Sequence, residues 1–197
     1  MARIALHITG DDEADAVLSR DPLALLIGMV LDQQVTIEKA FSSPADLLHR
    51  LGTKGPLDAA AIAAMEPEEL ASIFRERPAL HRYPGSMAGR VQAVCRAVAD
   101  EYGNKAESIW KGVRSGDELI GRLRALPGFG EQKAKIFAAL LGKQLAVCPE
   151  GWRTVSTPYG NAGSYLSVAD ITDPESLAKV RATKKSLKAK AKARAGA

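Results

Sequence analysis

Two stretches hold residues whose types and spacing suit chemistry. In "LPGFGEQKAKIF", residues 126–137, Gly128 and Gly130 flank Phe129, and Lys133 and Lys135 follow at once. Glycine permits positive φ and a close approach from outside the chain. A helix starting directly after such a turn presents free backbone N–H groups, which attract an anion such as a phosphate. Lys133 and Lys135 add attraction, Glu131 opposes it, and Phe129 is suited to plug the junction. A G-x-G turn taken alone fits a plain αα-hairpin as well. The second stretch, "LAVCPEGWRTV" at 145–155, carries a thiol at Cys148, a carboxylate at Glu150 and a cation at Arg153.

Helix signals surround both stretches. Ser115 and Glu118 form an S-x-x-E capping box, and Pro127 stops a helix at Leu126. The turn therefore lies between helices 116–126 and 131–141. Asp21-Pro22 opens "LALLIGMVLDQQV", Ser43-Pro44 opens "ADLLHRLG" as far as Gly52, and Glu66-Pro67 opens "EELASIFRE". Met87, Val91, Val94, Cys95, Val98 and Tyr102 make one apolar stripe ending near Gly103. "KAKIFAALLG" reads as a helix closed by Gly142, and Asp173-Pro174 opens the last one. "KQLAV" at 143–147 suits an extended conformation. Residues 149–167, rich in Pro, Gly and Ser, predict a long loop, either functional or a surface excursion. Trp152, Tyr159 and Tyr165 there suit stacking on a base or packing in the core.

Apolar residues make up 46% of the 197-residue chain, aromatics only 5%, and no alternating β-branched runs appear. This favours an all-α protein with a substantial core. Cys95 and Cys148 match no metal-ligand spacing, and His7, His49 and His81 are scattered. Two reduced thiols, no metal site and a cytoplasmic setting are expected. The first 17 residues do not read as a signal peptide, and "LALLIGMVL" is too short to span a bilayer. Net charge is +4, yet eight of the 27 basic residues, and no acid, fall in 179–197. The body keeps 19 basic against 23 acidic residues, so the basic character sits in the tail. The tail composition predicts disorder that a polyanion can order.

L-P-G-x-G-x-x-x-A between two helices resembles the helix-hairpin-helix of the HhH-GPD DNA glycosylase superfamily, which includes endonuclease III and the adenine glycosylase MutY. "DPLALLIGMVLDQQVTIEKA" resembles the family's P-x-x-x-L-(x)n-L-S-x-Q-x-T helix, and "MAGRVQAVCRAVADEYG" resembles the helix that precedes the hairpin helices. The resemblance covers roughly residues 20–155. It implies an all-α, two-lobed fold with the helix-hairpin-helix at 116–141 and a cleft between lobes. One lobe is a helical barrel of residues 22–125; residues 1–21 with 126–178 make the other. It also implies double-stranded DNA, damaged or distorted, as partner. Gln34 would reach into the duplex, and Gly128, Phe129, Gly130, Lys133, Lys135 and Arg153 would contact DNA. The basic tail would add phosphate contacts, with a nucleoid location in a bacterial cell. An iron–sulfur cluster is not expected, because its cysteines are absent.

Two positions depart from the pattern. Gln132 stands where the family's lyases carry a Schiff-base lysine, and Lys133 is one residue on, turned about 100° around the helix. Lyase chemistry is therefore not expected. Cys148 stands at the family's aspartate, whose charge stabilises the oxocarbenium-like transition state. A thiol supplies little negative charge at neutral pH. Glu150 could supply it if the loop turns about Pro149, or it is a surface glutamate. Three functions stay open. They are a monofunctional DNA N-glycosylase, a catalytically inactive relative that recognises distorted DNA or assists a repair partner, and a protein-interaction module.

Overall fold

Side-chain caps start several of the helices that surround the site. The computed structural model describes residues 5–53 and 55–195, so residues 1–4 of the expected second lobe and the last two of the tail lie outside it. In chain order the helices are α1 (Asp12–Arg20), α2 (Pro22–Leu31), α3 (Ile37–Arg50), α4 (Ala59–Ala64), α5 (Pro67–Arg75), α6 (Pro84–Glu101), α7 (Gly116–Ala125), α8 (Glu131–Gln144), α9 (Trp152–Val155) and α10 (Pro174–Ala195). No strand forms among the described residues. The extended pairing is one isolated bridge, Ser115 with Glu150. The fold is all-α, as expected, and none of these helices is long and apolar enough to cross a membrane.

Asp21 caps α2 by accepting from the backbone N–H of Leu23 and Ala24, at 2.9 and 3.2 Å. Its second oxygen accepts from Leu57 N–H at 2.7 Å, tying the start of α2 to the approach to α4. A side-chain cap of this kind is worth about 1 kcal/mol. Here burial also raises the Asp21 pKa, which the three amides oppose. Every residue of α2 from Leu23 to Leu31 is buried. A helix apolar all round belongs inside, and α2 packs against α1, α3 and α6.

Several expected boundaries move. Pro44 does not open a helix: Thr36 caps α3 through Lys39 N–H, and Pro44 lies buried inside it. Gly142 does not close α8, which runs on to Gln144. A Cβ at Gly142 would stand 2.4 Å from the Trp152 ring, so the glycine makes room for that indole. The expected long loop contains α9, and Trp152 is buried in it. Residues 143–147 form no strand.

The lobes also divide differently. α1 packs on α3 and α2, and Leu6 N–H and Ile8 N–H bond Ser19 and Asp15. Residues 5–20 therefore join the first lobe rather than 126–178. One continuous apolar core reaches from Leu6 to Val180. The tail, expected to be disordered, is helix through Ala195 as the second half of α10. Alanine and lysine both favour helix, and the junction is anchored by buried Val180 and by an Arg181–Glu38 ion pair.

Candidate nucleic-acid cleft

The hairpin is built as its sequence demands. Ser115 Oγ accepts from Glu118 N–H at 3.2 Å, and the Glu118 carboxylate accepts from Arg114 N–H at 2.9 Å. Gly128 has φ +76°, a left-handed conformation that glycine adopts without strain. Phe129 is buried and meets Phe137 edge to face, with centroids 6.0 Å apart. Gly130 is the N-cap of α8 and gives it no side-chain cap. A Cβ at Gly128 or Gly130 would meet nothing within 4 Å, so the approach to these amides is open from outside. Lys135 pairs with Glu131 at 2.7 Å on the exposed side of α8.

Beside the hairpin lies a cleft of about 800 Å³. Gly128, Gly130, Gln132 and Lys133 line one side, and Met29, Asp32, Gln33 and Gln34 the other. Tyr159, from the 149–167 segment, lines it too, and its hydroxyl accepts from Gln132 Nε2 at 2.9 Å. Lys184 and Leu187 of α10 line it as well.

Lys133 is not carried out of this cleft by its turn around the helix. Its Nζ donates to Val30 O at 2.9 Å and lies 5.8 Å from the Phe129 ring centroid. Burial pulls its pKa down to about 8, against the raising effect of the Asp32 charge and with a further push down from Arg90. The amine therefore caps the C-terminal end of α2.

Gln34 is exposed at the cleft with φ +55°. For a residue with a Cβ this costs roughly 1–2 kcal/mol. The preceding residue holds the turn: Gln33 Nε2 donates to Val30 O at 3.1 Å, and its Oε1 accepts from Arg90 at 2.6 Å.

The second stretch lies elsewhere. Cys148 is exposed, its Sγ 3.4 Å from Gly142 O, in a groove with Trp110, Lys111 and Val113. Gly142 is nine residues from Lys133, about 14 Å along α8. Glu150 is exposed, and its backbone pairs with the start of α7: Gly116 N–H donates to Glu150 O at 2.7 Å, and Glu150 N–H to Arg114 O at 3.1 Å. Neither lines the cleft, because the chain after α8 turns toward α7 before returning at Tyr159. Arg153 stacks on Trp152, 4.4 Å from ring centroid, and donates to Gly160 O. The residue itself stays exposed on the loop, outside the cleft lining.

The carboxylate that does line the cleft is Asp32, the residue after α2. Neither it nor Gln33, His81 or Arg90 is a residue that a sequence motif marks as functional. The one signal at Asp32 is an acid in "LDQQVT" where the resembled pattern has serine. Among the described residues no three His, Cys, Asp or Glu side chains gather so that they could hold a metal ion.

Against known proteins, the family model described as HhH-GPD superfamily base excision DNA repair protein matches residues 27–196. No curated protein and no solved structure gives a significant match. The matched span holds the Gln34 turn, both hairpin helices and α10. The chain thus belongs to the HhH-GPD superfamily of base excision DNA repair proteins, and DNA is its partner.

Proposed function

We propose that the protein is a monofunctional DNA N-glycosylase in which Asp32, not Cys148 or Glu150, supplies the catalytic charge. The observation that carries this is the placement of Asp32 in one cleft with the hairpin glycines, Gln34, Gln132 and Tyr159. A stacked base is out of reach of any side chain, so the target nucleotide is flipped into the cleft. About 800 Å³ is ample for a nucleobase and part of its sugar. The bare amides at Gly130 and the start of α8 hold a neighbouring phosphate. Gln34 occupies the space the base leaves.

As the glycosidic bond breaks, its electron pair leaves with the base and positive charge grows on the sugar. The Asp32 carboxylate stabilises that charge, water adds to C1′, and a proton passes to the departing base. Gln132 offers no amine, and Lys133 is bonded to Val30 O, so no covalent enzyme–sugar intermediate is required. The body carries a net negative charge, so affinity comes from local features. Lys184, which lines the cleft, and the other tail cations contact phosphates on one flank of the lesion.

The test is single-turnover base release with protein in excess, over duplexes carrying uracil, alkylated purines, oxidised bases or mismatches, each followed by alkali. Release without strand cleavage before alkali is expected for at least one substrate. Asp32→Asn should slow it roughly 10²-fold or more with duplex binding kept, while Glu150→Gln and Cys148→Ala stay near wild type. Release that survives Asp32→Asn and falls in Glu150→Gln would return the role to Glu150. Retained binding with no release across the panel assigns the protein to the non-catalytic DNA-recognition class.

A further inference from the structure

We infer that His81 and Arg90 are positioning residues that lock the Gln33–Gln34 turn from both sides, so that Gln34 enters the duplex already formed. The inference rests on the reading of the cleft as the DNA site. His81 is buried in the segment between α5 and α6. Its Nδ1 accepts from Tyr83 N–H at 3.0 Å, which leaves the proton on Nε2. That Nε2–H donates to Gln33 O at 2.9 Å. Arg90, exposed on α6, donates to the Gln33 side chain at 2.6 Å. Gln33 then donates to Val30 O, the same carbonyl that receives Lys133.

Main chain and side chain of Gln33 are thus both held by elements distant in sequence. The next residue is the one in the left-handed region, exposed and facing the cleft. A side chain kept in a sparsely populated backbone state must be over-determined by its surroundings. Here the surroundings are two residues that reach the turn without lining the cleft. A wedge that is preformed pays no ordering cost when it meets DNA, which speeds insertion rather than strengthening phosphate contacts.

The experiment uses the full chain and a duplex with a tetrahydrofuran abasic site beside 2-aminopurine, whose fluorescence reports the wedge entering the stack. Intact duplex measures affinity from phosphate contacts alone. Gln34→Ala should remove the fluorescence change. His81→Leu, which keeps the volume and removes the donor, should slow insertion roughly tenfold or more, with affinity for intact duplex within about twofold. His81→Gln, which restores a donor near Nε2, should recover most of the rate. Arg90→Met is on the surface and leaves folding alone; it should slow insertion in the same way. Insertion at the wild-type rate in both His81→Leu and Arg90→Met overturns the inference, as does an equal loss of affinity for both duplexes. Should Gln34→Ala insert normally, the cleft reading itself fails, and the two failures are told apart.

Discussion

Lys133 on the hairpin helix donates a 2.9 Å hydrogen bond to the carbonyl of Val30 near the end of α2. The bond joins the hairpin to the element that carries Asp32. It also sets a titration. Burial lowers the Lys133 pKa to about 8, well below the ~10.4 of a free lysine. Between those values the unfolded chain binds more protons than the folded one, so stability rises with pH across about 8 to 10.4. Reductive 13C-methylation followed by NMR should show one lysine with a midpoint near 8, absent in Lys133→Met. Asp32→Asn should lower that midpoint further, because the Asp32 charge favours the protonated amine. A midpoint above 10 in the wild type would contradict the burial of this amine.

A second titration runs through His81. Burial holds its pKa below the ordinary value near 6.5, with Lys133 and Arg90 adding to the effect and the Gln33 and Leu31 carbonyls opposing it. The folded ring accepts from Tyr83 N–H at Nδ1, which an imidazolium cannot do. Its contribution to stability is complete above about 6.5 and lost as pH falls through the lower folded value. Chemical denaturation from pH 7.5 down to 5 should show this loss in the wild type, and a smaller one in His81→Gln. The same acid dependence in both proteins would place the titrating group elsewhere.

Helix positions were legible where a side chain caps its own helix. Asp21, Ser115 and Asp173 each accept from an amide within three residues, so the local sequence carries the information. Pro44 and Gly142 misled for the opposite reason. Local preference reads them as punctuation, while tertiary contacts decide: Pro44 is buried within α3, and Gly142 lies under Trp152. The hairpin half of the cleft was readable because Gly128, Phe129 and Gly130 act within five residues of one another. In the Asp32 half the sequence marked Gln34, and at Asp32 only an acid in place of the pattern's serine. The part Asp32 takes depends on how the path after α8 swings Cys148 and Glu150 away, which no ungapped comparison of short motifs can follow. His81 and Gln33 are 48 residues apart in sequence, and only the fold brings them together.

Gly142→Ala isolates one such tertiary demand. The added methyl would lie 2.4 Å from two carbons of the Trp152 ring, which is itself buried. Either the indole shifts or α9 moves off α8. Overpacking of this kind costs about 1–3 kcal/mol. For a chain of this length each kcal/mol lowers Tm by about 2–4 °C. Thermal denaturation should show that loss, and the Trp152→Phe background should relieve part of it. An unchanged Tm in Gly142→Ala would mean that the helix pair is looser than its packing indicates.

The second half of α10 should set the salt dependence of DNA binding. Truncation after Thr183 removes six Lys or Arg residues and keeps buried Val180 and the Arg181–Glu38 pair, so the body stays folded. A helix lying along a duplex presents only part of its circumference, so about half of those six cations reach phosphates at once. Each phosphate contact contributes about 0.9 to the slope of log K against log salt. The truncated protein should therefore bind more weakly at low salt, with a slope shallower by about 2–3. Base release from a duplex held at saturating concentration should change little, because Asp32 and the hairpin remain. An unchanged slope would place the phosphate contacts on the body, despite its net acidity. A slope change accompanied by lost base release at saturation would instead make Lys184 and Leu187 part of the reacting cleft rather than its flank.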